Sequence, residues 1–319
     1  MNRNDTVATI DSVATLGCGV IGSSWTALFL AGGYSVAAFD PQIGAEQQLI
    51  DNIKSMYPTL QAIGFEGELD LTRLTFHNDA GDAVSNARFI QESVPEQLEL
   101  KHSLFAEIES RLLPDAVVAS SASGLMLKEM QSGFKNPSRL IVGHPFNPPH
   151  LIPLVELLAN DRTDDDVLAM AESFYQSVGK VTIRVNKEVP AHVANRLQAA
   201  LWREAISLVA DGVASVEDVD KAVWAGPGLR WAAMGPHQLF HLGAGEGGLR
   251  EFCNRYADSF HRWWDDLGSV QLDQKTIDQL VAGVTASDND SKTNHTDASA
   301  LRDQLIAGYL KTSRSLRVS

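Results

Sequence analysis

The stretch SVATLGCGVIGSSWTALFLAGGYSVAAFD, residues 12–40, decides the architecture. SVATLG is a short apolar run of the kind that forms a buried strand. GCGVIGSSWTALFLAGG starts with glycines and continues apolar at helical spacing. YSVAAFD is a second strand that ends in an acid. Strand, helix and strand in this order make a βαβ unit, and a βαβ unit implies a parallel sheet. Gly17, Gly19 and Gly22 supply the G-x-G-x-x-G spacing at the turn between strand and helix, and Asp40 lies 18 residues beyond Gly22. Each glycine has its own reason. Gly17 permits a tight turn, Gly19 lets the backbone approach a pyrophosphate, and Gly22 allows close helix–strand packing. The amides that open the helix, those of Val20 and Ile21 included, then face phosphate oxygens at the positive end of the helix dipole. Asp40 is placed to accept hydrogen bonds from a ribose diol and to repel a 2′-phosphate, so the turn reads as a site for NAD rather than NADP. The plainer reading is a glycine-rich turn followed by an ordinary strand-end acid.

Strands alternating with helices continue outward from this unit to about residue 187. RFIQES, AVVASSAS, RLIVGH and VGKVTIRVN read as strands, and residues 44–64 and EQLELKHSLFAEIESRL as helices. From EVPAHVANRLQAALWREAISLVADGVAS onward the pattern is helical, with Gly212 at an expected C-cap and Ser215 opening a near-match to a capping box with Asp218. Residues 286–298 are polar and turn-rich and read as a loop, and ALRDQLIAGYLKTSRSL as a closing helix. The expected fold is therefore α/β, a Rossmann-type, mostly parallel sheet domain over residues 1–187, followed by an all-α domain over 188–319.

Bulk properties narrow the function. Hydrophobic residues make up 44% of the 319 and charged residues 21%, an ordinary globular mix. A net charge of −14 argues against nucleic acid or an anionic membrane as partner. Two cysteines far apart, Cys18 and Cys253, form neither a disulfide framework nor a zinc pattern, so no metal is expected. No run of 18 apolar residues and no signal-peptide core is present, which leads to the expectation of a cytoplasmic protein.

In an open α/β sheet, ligands bind beyond the carboxyl ends of the strands. Three polar residues fall there. Ser123 follows AVVASSA, His144 follows RLIVG, and Glu156 lies within LVELL. His144 and Glu156 bracket GHPFNPPHLIPLVE, residues 143–156, in which four prolines forbid helix through most of the length. A histidine with a carboxylate and a hydroxyl near it is a proton-transfer set. The imidazole takes the proton of an alcohol while hydride leaves for a nicotinamide, and the carboxylate fixes the ring tautomer. Taken singly each has a plainer role: a structural strand-end histidine, an N-cap serine for LMLKEM, a solvated strand glutamate.

ASSASGL, GHPFNPPHLIPLVE and VANRLQAALWREAISLV together resemble the signature blocks of the 3-hydroxyacyl-CoA dehydrogenase family, and the resemblance covers nearly the whole chain. His144 comes 21 residues after Ser123 and Glu156 comes 12 after His144, intervals that match the family's active-site Ser, His and Glu. The resemblance implies His144 as general base and Glu156 as its orienter. Ser123 and Asn195, of the Asn195-Arg196 pair, are implied as donors to the substrate oxygen. It also implies cofactor contacts from Glu96 and Lys101 in VPEQLELK and from Asn147. The plainer reading of Glu96 and Lys101 is surface helix charge.

Two departures bear on the substrate. Pro145 and Phe146 stand where the family has two adjacent aromatics. Arg230 and Trp231 put bulk where an acyl chain needs room. The helical segment is most similar to the L-carnitine 3-dehydrogenase branch, with the L-gulonate 3-dehydrogenase and lambda-crystallin branch next. Carnitine carries a trimethylammonium, which has no N–H to donate and is best held by aromatic faces. Five of the six tryptophans, at 202, 224, 231, 263 and 264, lie in the second half. Phe146, Arg230 and Trp231 are the candidate substrate contacts. Arg230 suits a carboxylate fork, though a helix-end cap or a surface ion pair would use it equally. The expectation is an NAD-dependent carnitine 3-dehydrogenase and a homodimer, set against gulonate or acyl-CoA oxidation or a non-catalytic, crystallin-like NAD binder.

Overall fold

The computed structural model describes residues 10–291 and 295–317. Among the described residues eight strands form one sheet: β1 Ser12–Leu16, β2 Ser35–Phe39, β3 Leu74–His77, β4 Phe89–Glu92, β5 Val117–Ser120, β6 Leu140–Pro145, β7 Leu154–Leu158 and β8 Val181–Arg184. Their order is β3-β2-β1-β4-β5-β6-β7-β8. Every neighbouring pair is parallel except β6–β7, which is antiparallel. The order reverses between β1 and β4, the place where doubly wound sheets open a ligand crevice.

Helices cover both faces, which is why the central strands read as unbroken apolar runs. One face packs on α1 (Val20–Ala31) and the helices Ala45–Ala62 and Val167–Ser177. Trp25, Phe29, Leu49, Ile53, Phe174 and Tyr175 meet there, with the Phe89 and Phe174 rings stacked at 4.0 Å. The other face buries Leu104, Phe105, Ile108 and Val84 against Leu16, Ile90 and Val118.

The chain divides into two compact units, Met1–Val193 with Arg302–Ser319, and Ala194–Leu301. The last helix, His295–Arg317, supplies Ala307 and Leu310 to the first unit's core. A boundary drawn at residue 188 from composition does not carry this return. The second unit contains the helices Ala194–Ala210, Val216–Ala225, Pro227–Ala233, Pro236–Gly243, Gly248–Asp266 and Gln274–Ser291. The Ser215 hydroxyl accepts the Asp218 N–H, as the capping box requires, and Gly212 adopts φ 70 after the preceding helix.

The polar stretch 286–298 is not a loop over most of its length. Residues 286–291 and 295–298 belong to helices, and only 292–294 lie outside the described residues. Sequence reading also passed over β3, whose LTFH is short and only partly buried. Among the described residues no helix is long and apolar enough to cross a membrane.

Candidate active site

His144 and Glu156 are cross-strand partners in the one antiparallel pair of the sheet. Residues directly opposite on such a pair have Cβ atoms about 4.5–5.5 Å apart, close enough for an imidazole to meet a carboxylate. His144 Nδ1 lies 2.8 Å from Glu156 Oε2, with the residues 6% and 1% exposed. An ionised carboxylate only accepts, so Nδ1 donates and Nε2 is left as the basic nitrogen. Glu156 Oε1 accepts the Val193 N–H at 2.9 Å. The prolines of residues 145–153 give β6 its exit into an irregular segment, and the chain then returns as β7.

That segment is anchored from below. Ser24 on α1 meets His150 twice: its Oγ accepts the His150 N–H at 2.7 Å and lies 2.8 Å from the ring Nδ1. Lys180 donates to the carbonyls of Pro149 and Ile152, the latter at 2.8 Å. Its ammonium also lies 4.9 Å from the centre of the Trp25 ring. Burial, with Arg314 second, lowers the Lys180 amine from 10.5 to about 7. Burial likewise lowers His150, to about 4, helped by the Lys180 charge.

At the glycine turn Gly17 has φ +87, and an added Cβ would meet Ser93 and Val94 backbone at 2.8 Å. A Cβ on Gly22 would stand 1.7 Å from the Gly17 carbonyl oxygen. In front of Gly19, the N-cap of α1, the space is open to 4 Å. Val20 is exposed and Ile21 half-buried at the start of the helix. Asp40, at the end of β2, accepts the N–H groups of Cys18 at 2.8 Å and Gln42 at 2.9 Å. A backbone cradle no side chain fills, amides of a helix N-terminus and a carboxylate at the second strand's end fit a dinucleotide diphosphate and its ribose. Burial, with Asp40 second, pushes the neighbouring Cys18 thiol up to about 12, which removes it as a nucleophile.

The remaining expected residues fall into four groups. Glu96 accepts the Ser123 hydroxyl at 2.8 Å, the Ser123 N–H at 3.0 Å, the Leu125 N–H at 3.1 Å and the Gly124 N–H. Burial alone would raise its carboxyl, but these donors hold it below the ordinary range. Ser123 thus caps no helix; Met126 stands at the N-cap of Leu127–Met130. Lys101 is not a surface charge. It is 1% exposed and paired at 2.5 Å with Glu92, which also accepts the Ser120 hydroxyl at 2.5 Å and the Val94 N–H at 2.8 Å. This buried set ties the ends of β4 and β5, from which Glu96 and Ser123 follow. Asn147 is exposed and Phe146 half-buried on the proline segment.

In the second unit, Asn195 lies in the first turn of the helix Ala194–Ala210. Arg230 and Trp231 are adjacent and exposed on Pro227–Ala233. The ring contacts of that unit gather elsewhere, on Phe240, Phe252, Tyr256, Phe260, Trp263 and Trp264. Sequence reading missed Glu92, Lys180 and His192. A charged residue beside an apolar run was the only signal available, and it does not distinguish a buried partner from a solvated one. Among the described residues no group of three or more His, Cys, Asp or Glu could hold a metal.

The family model "3-hydroxyacyl-CoA dehydrogenase, NAD binding domain" matches residues 12–189, and "3-hydroxyacyl-CoA dehydrogenase, C-terminal domain" matches 192–282. An L-carnitine dehydrogenase of Streptomyces coelicolor is 46% identical over 85% of each chain. An L-carnitine dehydrogenase of Pseudomonas putida is 39% identical over 98% of this chain and 97% of its own. Among solved structures, an NAD⁺-dependent dismutase, 5-formyl-3-hydroxy-2-methylpyridine 4-carboxylic acid 5-dehydrogenase, superimposes with a TM-score of 0.78. It is 27% identical, over 97% of this chain and 99% of that one. FadB2 of Mycobacterium tuberculosis gives 0.64 at 31% identity over 79% and 89%. The chain belongs to the 3-hydroxyacyl-CoA dehydrogenase family and is an NAD-dependent dehydrogenase acting on a CH–OH group.

Proposed function

We propose that the chain oxidises the 3-hydroxyl of L-carnitine to 3-dehydrocarnitine, with His144 as general base. The observation that carries the base assignment is the buried 2.8 Å contact between His144 and Glu156. His144 Nε2 takes the hydroxyl proton. Glu156 keeps the proton on Nδ1 in the resting ring and stabilises the imidazolium that forms. Ser123 and Asn195 donate to the substrate oxygen, and Ser123 must turn its hydroxyl from Glu96 to do so. Bound NAD⁺ would supply the acceptor for the hydride that leaves the carbon bearing the hydroxyl. Gly17, Gly19, Val20, Ile21 and Gly22 would cradle its diphosphate, Asp40 would hold the ribose, and Asn147 would complete the contacts. Glu96 remains among the proposed cofactor contacts, whereas Lys101, expected as one too, is buried against Glu92 and supports the loop after β4 instead.

The substrate assignment draws on the carnitine dehydrogenases at 46% and 39% identity and on the chain's own departures at Phe146, Arg230 and Trp231. A trimethylammonium needs an aromatic face and a carboxylate needs a guanidinium; Trp231 and Arg230 offer both side by side.

The reading includes a homodimer. Few residues of the unit Ala194–Leu301 are buried: among those described they are Ile206, Ser207, Val209, Val219, Gly248 and Thr276. Trp202, Trp224, Trp263 and Trp264 are 55–66% exposed. A helical unit with so little core of its own gains it from a second copy.

The test is the absorbance of NADH formed with L-carnitine, L-gulonate and a 3-hydroxyacyl-CoA at equal concentration. The reading expects carnitine to be the fastest by at least about tenfold, roughly 1.4 kcal/mol in transition-state binding. Turnover of the thioester alone would remove carnitine, and turnover of gulonate alone would move the chain to the other branch.

A further inference from the structure

His192 lies in the segment that leads from β8 to the helix Ala194–Ala210, and it is 3% exposed. Its ring centroid lies 5.2 Å from that of His144, tilted by 46°. Its Nε2 is 3.5 Å from the carbonyl oxygen of Ala122. A carbonyl only accepts, so Nε2 carries the hydrogen. Nδ1 is then a buried lone pair, and it has no hydrogen-bond partner among the described residues. Such an orphan is costly in a folded protein and calls for a reason.

The backbone is unusual at the same point. Ala191 and His192 have φ 63 and 49, the left-handed region that only a few per cent of non-glycine residues enter, histidine more often than alanine. Consecutive strained residues persist where the surroundings over-determine them, and such places cluster at functional sites. The turn has two visible products. It lays the His192 ring beside His144, and it aims the N–H of the next residue, Val193, at Glu156 Oε1, 2.9 Å away. Both members of the proton-transfer pair are held from one strained turn.

We infer that His192 is a positioning residue for proton transfer, a neutral imidazole locked by the Ala191–His192 turn against the flank of His144, where it fixes the base and excludes water. This rests on His144 being the base. The groups that face His192 are His144 on β6, Glu156 on β7, the Ala122 carbonyl and Glu188. Burial disfavours its charged form most, and His144 acts in the same direction. The Ala122 carbonyl and the two carboxylates oppose them, and the net effect is a histidine below its ordinary value. A neutral His192 leaves the neighbouring ring free to accept a positive charge, whereas a charged one would oppose it.

The test is His192→Ala, which removes the ring, set beside His192→Phe, which restores a neutral flat ring of similar size. The expected result is a kcat lower by about tenfold or more in His192→Ala with a KM for NAD⁺ within about twofold, and a kcat in His192→Phe within about threefold of the parent. Should the variants fail to fold, ring resonances of isotope-labelled histidine in the unaltered chain decide. His192 is expected to stay neutral at pH 7 with its hydrogen on Nε2. A kcat within twofold of the parent in His192→Ala, a kcat in His192→Phe as low as that of His192→Ala, or a charged His192 at pH 7 would overturn the inference. His144→Gln runs alongside. If it is inactive while His192→Ala matches the parent, the His192 inference alone has failed; if it is active, the base assignment itself has failed.

Discussion

A histidine serves as a base only when one ring nitrogen is committed to the protein and the other is not. At His144 the commitment is to Glu156, across one rung of an antiparallel ladder. Glu156→Gln keeps the size of the partner but no longer fixes the tautomer or offsets the imidazolium charge. Its kcat is expected to fall by about 10²–10⁴-fold with NAD⁺ affinity unchanged, as read by steady-state rates and NAD⁺ titration. Histidine and glutamate were legible because their types make a proton-transfer set and their interval matches that of the family the chain resembles. His192 was not, because its role depends on a backbone angle that no residue type announces. Lys101 was expected as a cofactor contact from the resemblance, with a surface charge as the plainer reading; only the fold shows it buried against Glu92.

The glycine turn was the most legible element, since each glycine answers to a steric requirement. Gly22→Ala forces a Cβ onto the Gly17 carbonyl. It is expected to destabilise the protein by about 1–3 kcal/mol in chemical denaturation and to weaken NAD⁺ binding at least tenfold. The proline segment was legible as a non-helical loop, but its anchoring by Ser24, His150 and Lys180 was not, because those contacts join elements far apart in sequence. Lys180 gives this anchoring a pH signature. Its folded-state value, about 7, lies below the ordinary 10.5. Between these two values the unfolded chain binds the extra proton, so stability rises with pH through that window and this group adds no slope below it. Lys180→Met should flatten that rise in denaturation midpoints measured from pH 7 to 10; an equal slope in the variant would exclude Lys180 as its source.

For the whole molecule, the alternation of strands and helices fixed the class of fold and its helical continuation. It did not show that the chain's last turns, through Ala307 and Leu310, return to the first unit's core. Nor does an aromatic pattern tell whether its rings face a core, a substrate or another subunit. The proposed homodimer would cover Trp202 and Trp224, which are 55% and 66% exposed. The particle mass in light scattering is expected to be twice the 34.6 kDa of the chain, and Trp224→Glu is expected to lower it toward that of one chain. A monomer in the parent would leave those tryptophans without a partner copy. The most direct measurement is made on His144→Gln: NADH formation from L-carnitine beside NAD⁺ binding by titration. The predicted result is a turnover lower by about 10²–10⁴-fold with NAD⁺ still bound at parental affinity; near-parental turnover would contradict the assignment of the base.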